Sequence, residues 1–300
     1  TRSFHVTGVQ TCALPILVLC MVGGVASAEV NVQDDRGQTW TQTATPQRIV
    51  SLLPAITEMV CELGGCDRLV GVDRHSNFPA QVQSLPRLGG MDDTPLEALL
   101  KLKPDLVLVA GSNRLVPRMQ SLGLRVLVFE PRDQADTERM GLALSQVLGG
   151  GEVRWRLHEE RQAQAWDELA SKLEARWRGA RVYIEVGEGP YVASESSFIG
   201  QALKRVGLRS AVAGTWGAFP RLSPEWVMRE QPDWVVLAQS ALPTSRRPGW
   251  SQLKAQRQGQ VCVLEPAQMD PLVRPGPRLS EGIAAILSCM QAHRAPSSRP

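Results

Sequence analysis

The chain says nearly the same thing twice. Residues 95–110 read PLEALLKLKPDLVLVA and residues 223–238 read SPEWVMREQPDWVVLA, 128 positions apart. In each, a glutamate (Glu97, Glu225) stands seven residues before a proline (Pro104, Pro232), which is followed by Asp and an apolar run. VLVFEP (126–131) and VCVLEP (261–266) match again at equivalent points. A repeated helix–turn–strand phrase of this length implies a repeated lobe, so the chain is expected to build two similar halves.

Each half alternates short apolar strands with helical stretches. RIVSLLP leads into AITEMVCELGG, whose helical pattern stops at Gly64-Gly65. LVGV, DLVLVA and VLVF follow, and RVYIEV, DWVVLA and VCVLEP restart the alternation after Gly179. Strands this continuously apolar are buried on both faces, which indicates a parallel sheet with helices packed on each side. Ahead of the first half, VNVQDDRGQTWTQ alternates around Asp-Asp-Arg-Gly and predicts a hairpin. Between the halves, residues 152–178 contain no Gly or Pro, and Trp155, Trp166 and Trp177 recur every eleven residues. Eleven residues are about three helical turns, so this spacing predicts one helix of about 40 Å with an apolar face. The expected fold is α/β: two Rossmann-like lobes with parallel sheets, joined by a single long α-helix, with a ligand cleft between the lobes. Its parts are 29–150, the helix at 151–179, and 180–291, with 292–300 expected to be a disordered tail.

The first 28 residues stand apart. LVLCMVGGVASAEV carries an apolar run and then Ala26-Ser27-Ala28, a small-x-small pattern that predicts signal-peptide cleavage near Ala28 and export to the periplasm. Leu19 before Cys20 argues against a lipid-attachment cysteine. VTGVQTCALPI (6–16) reads as translated sequencing adapter rather than as a natural leader. Cys61, Cys66, Cys262 and Cys289 lie beyond this segment, and an exported chain can oxidise them. Cys61 and Cys66 could close a small loop, or all four could be reduced core thiols. No pair has the C-x-x-C spacing of a zinc site.

Composition narrows the function class. The net charge is +3 with acids and bases interspersed, and no basic stripe interleaved with aromatics points to nucleic acid. GEGPYV has Val192 where a dinucleotide loop needs its third glycine, and HEERQ lacks the second histidine of a zinc-protease helix. Ser251 and Lys254 fit S-x-x-K without its partner motifs, and G-x-S-x-G is absent. Beyond the leader there are three histidines, at 75, 158 and 293, too few for a multi-histidine metal site. Open parallel sheets bind ligands beyond the carboxyl ends of their strands. The segments there carry His75, Phe78, Met91, Tyr191, Trp216, Phe219, Asp270 and Arg274, a largely aromatic and apolar set suited to a large, partly apolar ligand.

RIVSLLPAITEMVCELG, DRLVGVD, LEALLKLKPDLVLV and RPGPRL resemble the class III, helical-backbone substrate-binding proteins of ABC importers over about 30–291, most of all the cobalamin-binding members. The resemblance implies a monomeric periplasmic carrier rather than an enzyme. It implies no cofactor, no nucleic-acid partner and no membrane insertion. Cobalamin or a related corrinoid would be the transported ligand, and an inner-membrane ABC permease the partner. Carried over residue by residue, it assigns ligand contacts to Tyr191, Asp270 and Arg274, which match the pattern, and to Phe219, a conservative change from Trp. It also assigns them to His75 and Met91, where the pattern has Tyr and Trp. His and Met both coordinate metals, so haem or a ferric siderophore is the alternative ligand in the same fold. A siderophore asks for several cations, and these loops offer few beyond Arg74, Arg221 and Arg274.

Glu97 and Glu225 correspond to the family's paired acids that dock on permease arginines, through charge-assisted contacts that fix orientation. Read from the residues alone, Thr94-Pro95-Leu96-Glu97 is a capping box, and Glu225 is a first-turn acid favoured by the helix dipole. An α/β enzyme is the alternative of another class. The lack of a nucleophile–base pair or a metal-ligand cluster weighs against it.

Overall fold

A computed structural model describes residue 1 and residues 30–90, 93–186, 191–241 and 246–293. The leader with its cleavage site, Met91, and the tail from 294 lie outside the described residues.

The chain opens with the expected hairpin, β1 (Val30–Gln33) antiparallel to β2 (Thr39–Gln42), with Val30 opposite Gln42. The first lobe contains β3 (Ile49–Ser51), α1 (Pro54–Glu62), β4 (Leu69–Val72), α2 (Leu96–Lys101), β5 (Leu106–Ala110), α3 (Val116–Ser121), β6 (Val126–Phe129) and α4 (Gln134–Val147). Its four strands are parallel, in the order β4-β3-β5-β6. Helix α5 (Gly151–Lys172) leads to the second lobe. That lobe contains β7 (Arg181–Val186), β8 (Tyr191–Val192), α6 (Phe198–Arg205), β9 (Arg209–Ser210), α7 (Pro224–Glu230), β10 (Trp234–Ala238), α8 (Lys254–Arg257), β11 (Val261–Leu264), α9 (Pro266–Val273) and α10 (Leu279–Ala292). Strands β9, β7, β10 and β11 pair in parallel in that order. Both sheets thus run second–first–third–fourth, the topological form of the sequence repeat. The second sheet is mixed rather than wholly parallel, because the two-residue β8 folds back antiparallel on the end of β7.

The repeat extends to side-chain detail. Asp105 accepts the backbone N–H of Gln47 at 2.7 Å and of Arg48 at 3.0 Å. Asp233 accepts the Arg181 N–H at 2.9 Å, likewise at the start of its lobe's first strand. Arg48 donates to the carbonyls of Leu102 and Lys103, and Arg181 donates to those of Glu230 and Gln231. The Pro-Asp pair and an arginine therefore tie helix end to strand start in each lobe.

Both sheets are covered on two faces, as their apolar strands require. On β5, Leu106 and Leu108 pack with α1 and α4, whereas Val107 and Val109 pack on the opposite side with Leu99, Val116 and Met119. On β10, Trp234 and Val236 face α6, α9 and α10, and Val235 and Leu237 face Trp226 and Trp250.

Helix α5 is shorter than its sequence predicted. Twenty-two residues span about 33 Å. At Leu173 the backbone turns extended (φ −71°, ψ 119°), burying that side chain in the second lobe's core. Trp155 lies in the first lobe's core and Trp166 in the second's, so the helix anchors both. A Cβ at Gly141 of α4 would collide with the Trp155 ring, so glycine permits this close approach. Trp177 sits beyond the helix and meets Trp234 edge-on at 5.0 Å.

Two further expectations change, and one open alternative closes. Thr94 does not cap α2: Pro95 holds the N-cap place, and the Thr94 hydroxyl donates back to the Gly90 carbonyl at 2.8 Å. The segment carrying Asp270 and Arg274, expected to be a loop beyond a strand end, includes helix α9, which opens on a Glu265–Gln268 capping box with Pro266 in its first turn. Of the two readings left open for the cysteines, the small loop holds: Cys61 and Cys66 form a disulfide, and Cys262–Cys289 is a second one, tying β11 to α10. Among the described residues no helix is long and apolar enough to cross a membrane.

Candidate ligand cleft between the lobes

Segments leaving the carboxyl ends of the first lobe's strands meet the second lobe in a slot. One cavity, of 340 Å³, is lined by Leu52–Ala55 after β3, by Asp73 and His75 after β4, and by Asp270, Arg274 and Pro275 from the α9 end. An adjoining cavity, of 290 Å³, is lined by Ala110 and Ser112 after β5 and by Phe129–Pro131 at the end of β6. Val186, Phe198 and Phe219 close it from the second lobe. Leu53, Val273 and Pro275 line both, so the two form one slot with a polar end and an aromatic end.

The polar end is built by a loop held from beneath. The buried Asp73 accepts the His75 N–H at 2.7 Å with one carboxylate oxygen and the Ser76 hydroxyl with the other. Ser76 and Thr57 share a hydrogen bond of 2.9 Å, and Thr57 donates to Ser51 at 2.9 Å. Arg87 donates to the carbonyls of Asp73 and Ser76. This network leaves His75 exposed on the slot wall.

Arg274 is engaged on every side. Nη1 donates to Glu58 Oε1 at 2.6 Å and to Asn77 Oδ1 at 2.8 Å. Nη2 donates to the His75 carbonyl at 3.2 Å and pairs with Asp270 Oδ2 at 2.8 Å. Asn77 Nδ2 donates to Asp270 at 2.8 Å. Asp270 and Arg274 sit four apart on α9 and its C-cap, one helical turn, which brings them onto one side. Glu58 is 1% exposed and lies on α1 of the other lobe. Burial pushes its carboxyl above the ordinary range, and the hydrogen bond and charge of Arg274 pull part of the way back. Arg278 stands 3.5 Å from the same oxygen, with its guanidinium 3.7 Å from the Phe78 ring centre.

At the aromatic end, Phe219 packs on Phe198 with ring centres 5.4 Å apart. Tyr191 is 48% exposed on β8, bridged to Arg221, and is not among the side chains lining either cavity. The structure thus brings His75, Asp270, Arg274 and Phe219 to the slot and leaves Tyr191, paired with Val186, outside its lining. Glu97 and Glu225 lie away from it, exposed in the first turns of α2 and α7. The Glu225 carboxyl is held below its usual range by the helix-start N–H and the Ser223 hydroxyl. Glu58 and Asn77 escaped the sequence reading. The available signal was a charged residue inside Ala55–Val60, a run that α1 buries entirely.

Among the described residues, no three His, Cys, Asp or Glu side chains cluster to hold a metal.

Three known proteins share this arrangement or its sequence. An uncharacterised ABC transporter substrate-binding lipoprotein of Bacillus subtilis is 27% identical over 272 residues, covering 86% of this chain and 84% of the relative. A cobalamin-binding protein of Halobacterium salinarum is 30% identical over 226 residues, covering 72% of this chain and 60% of the relative. A periplasmic heme-binding protein of Pseudomonas aeruginosa superposes with a TM-score of 0.70 at 26% identity, covering 85% of this chain and 96% of the other. The model of the periplasmic binding protein family matches residues 49–267, which span the repeat, α5 and both sheets, and the chain belongs to that family.

Proposed function

We propose that this protein captures cobalamin or a related corrinoid in the inter-lobe slot and delivers it to an inner-membrane ABC importer, without catalysing a reaction. The observation that carries the ligand class is the charge state of the slot. Arg274 is the one Lys or Arg among the described residues lining its two cavities, and Glu58 and Asp270 already neutralise it. The remaining wall is largely apolar and aromatic, with carboxylate acceptors Asp73 and Asp270 at the polar end and Glu130 with Ser112 at the other. Such a site favours a large ligand without net negative charge whose periphery donates hydrogen bonds, as corrin amides do. An anionic chelate would enter with no free cation to meet it.

One observation favours a second reading. His75 presents its ring at the slot wall, where a haem iron could take it as an axial ligand. Equilibrium dialysis against cyanocobalamin, hemin and a ferric siderophore separates the readings: retention of cyanocobalamin alone is the expected result. Retention of hemin with a shifted Soret band, lost in His75→Ala, would establish the haem reading instead. Extracytoplasmic placement and the permease partner follow the family and its substrate-binding relatives.

A further inference from the structure

We propose that Glu58, which lines neither cavity of the slot, is a positioning residue for it: through Arg274 it sets the register of the two lobes at the polar end. This deepens the reading of the slot as the ligand site and rests on it. Four bonds converge on the Arg274 guanidinium, and three of them come from the opposite lobe: Glu58, Asn77 and the His75 carbonyl. A planar fork held at both Nη1 and Nη2 tolerates little sliding before several bonds fail together. The other end of the slot is pinned separately. There the Phe198 N–H donates to the Arg132 carbonyl at 3.0 Å, and the Gln134 N–H donates to Gln201 at 2.8 Å. Helix α5 forms the covalent connection. With the aromatic end and the helix fixed, the lobe spacing at His75 is set by the Arg274 cluster, with Arg278 beside it at 3.5 Å from the same Glu58 oxygen and over the Phe78 ring.

Stability does not account for the pair. Replacing a buried ion pair by apolar residues of similar size is often neutral for stability, and in some proteins such a pair serves to fix a geometry, the role assigned to this one. Both arginines reach the same Glu58 oxygen, Oε1: Arg274 at 2.6 Å and Arg278 at 3.5 Å.

The test uses two variants, Glu58→Gln, which keeps the shape and removes the charge, and Glu58→Met with Arg274→Met, which removes the pair at similar volume and is expected to fold. Hydrogen exchange on ligand-free protein reads the register directly. The 73–79 loop and 266–275 are expected to exchange about tenfold faster in both variants, while β5 and β10 keep wild-type protection. Cyanocobalamin is then expected to dissociate about tenfold faster with little change in association rate, the mark of lost preorganisation. Unchanged exchange in both segments overturns the proposal whatever the ligand. So does faster exchange with wild-type dissociation. If wild-type protein fails to hold cyanocobalamin, the ligand reading fails, and the exchange result alone decides the role of Glu58.

Discussion

Lys103 and Gln231, 128 positions apart, are the two non-glycine residues among those described with positive φ, at 45° and 47°. Each lies at the C-terminal end of the helix that carries its lobe's exposed glutamate, Glu97 or Glu225: Gln231 is the C-cap of α7, and Lys103 stands one residue past the C-cap of α2. Each offers its carbonyl to the arginine at the start of that lobe's first strand, Arg48 just before β3 and Arg181 in β7. A left-handed residue other than glycine costs free energy that surrounding bonds must offset. The two lobes have kept the same device, so the two acids stand at equivalent places on equivalent helices.

Paired, exposed carboxylates of this kind suit docking on a cationic permease surface. Glu97→Ala combined with Glu225→Ala is expected to abolish ligand uptake into cells while leaving the dissociation constant of the purified protein within about twofold, since neither residue lines the slot. Parallel loss of uptake and affinity would place the acids in ligand binding instead.

The Cys262–Cys289 disulfide closes a separation of 27 residues, against five for Cys61–Cys66. Loop-closure entropy assigns about 3–4 kcal/mol to the longer loop and about 2 kcal/mol to the shorter. Denaturant titration of the Cys262→Ser, Cys289→Ser double variant is expected to show the larger loss, and the Cys61→Ser, Cys66→Ser variant the smaller. The reverse order would show that loop-closure entropy does not set the two losses, since Cys262 is also the fully buried cysteine and Cys61 is only partly buried.

Glu62 ties α1 to α5. Its carboxylate shares a hydrogen bond with His158 Nδ1 at 3.2 Å and accepts from Arg161 at 2.6 Å. The His158 bond, opposed by burial and aided by Arg161, holds the carboxyl below its ordinary value of 4.5. A depressed carboxyl stabilises the fold fully above its unfolded value and loses that contribution as pH falls through the folded one. The stability advantage of wild type over Glu62→Gln is therefore expected to stay flat above pH 5 or so and to shrink below about 4.5. A difference that grows on acidification would reverse the assigned sign.

Much of the fold was legible because the repeat imposed it. Strands without polar alternation required two covered faces, and the duplicated Glu–Pro–Asp spacing required two similar sheets. The slot was legible for the same reason: the rule about strand carboxyl ends brought His75, Phe219, Asp270 and Arg274 to one place. What escaped depends on tertiary contacts. Pro266 and Pro271 made α9 read as loop, although the first occupies a helix start and the second falls in its last turns. The end of α5 at Lys172 is set by Leu173 entering a core, with no glycine or proline to announce it. Strand β8 is two residues long and exists through its pairing with β7. Glu58 reads as a surface helix residue until Arg274, 216 positions away, is placed beside it.

The central claim is that a slot with no unpaired cation among its described lining residues holds a corrinoid. Calorimetric titration of residues 29–300 with cyanocobalamin at 0.05 M and 0.5 M NaCl, with hemin in parallel, tests it most directly. The account predicts one-to-one submicromolar binding of cyanocobalamin, a dissociation constant that changes by less than about twofold with salt, and no comparable hemin binding. Tight hemin binding that weakens steeply with salt, with cyanocobalamin unbound, would contradict it.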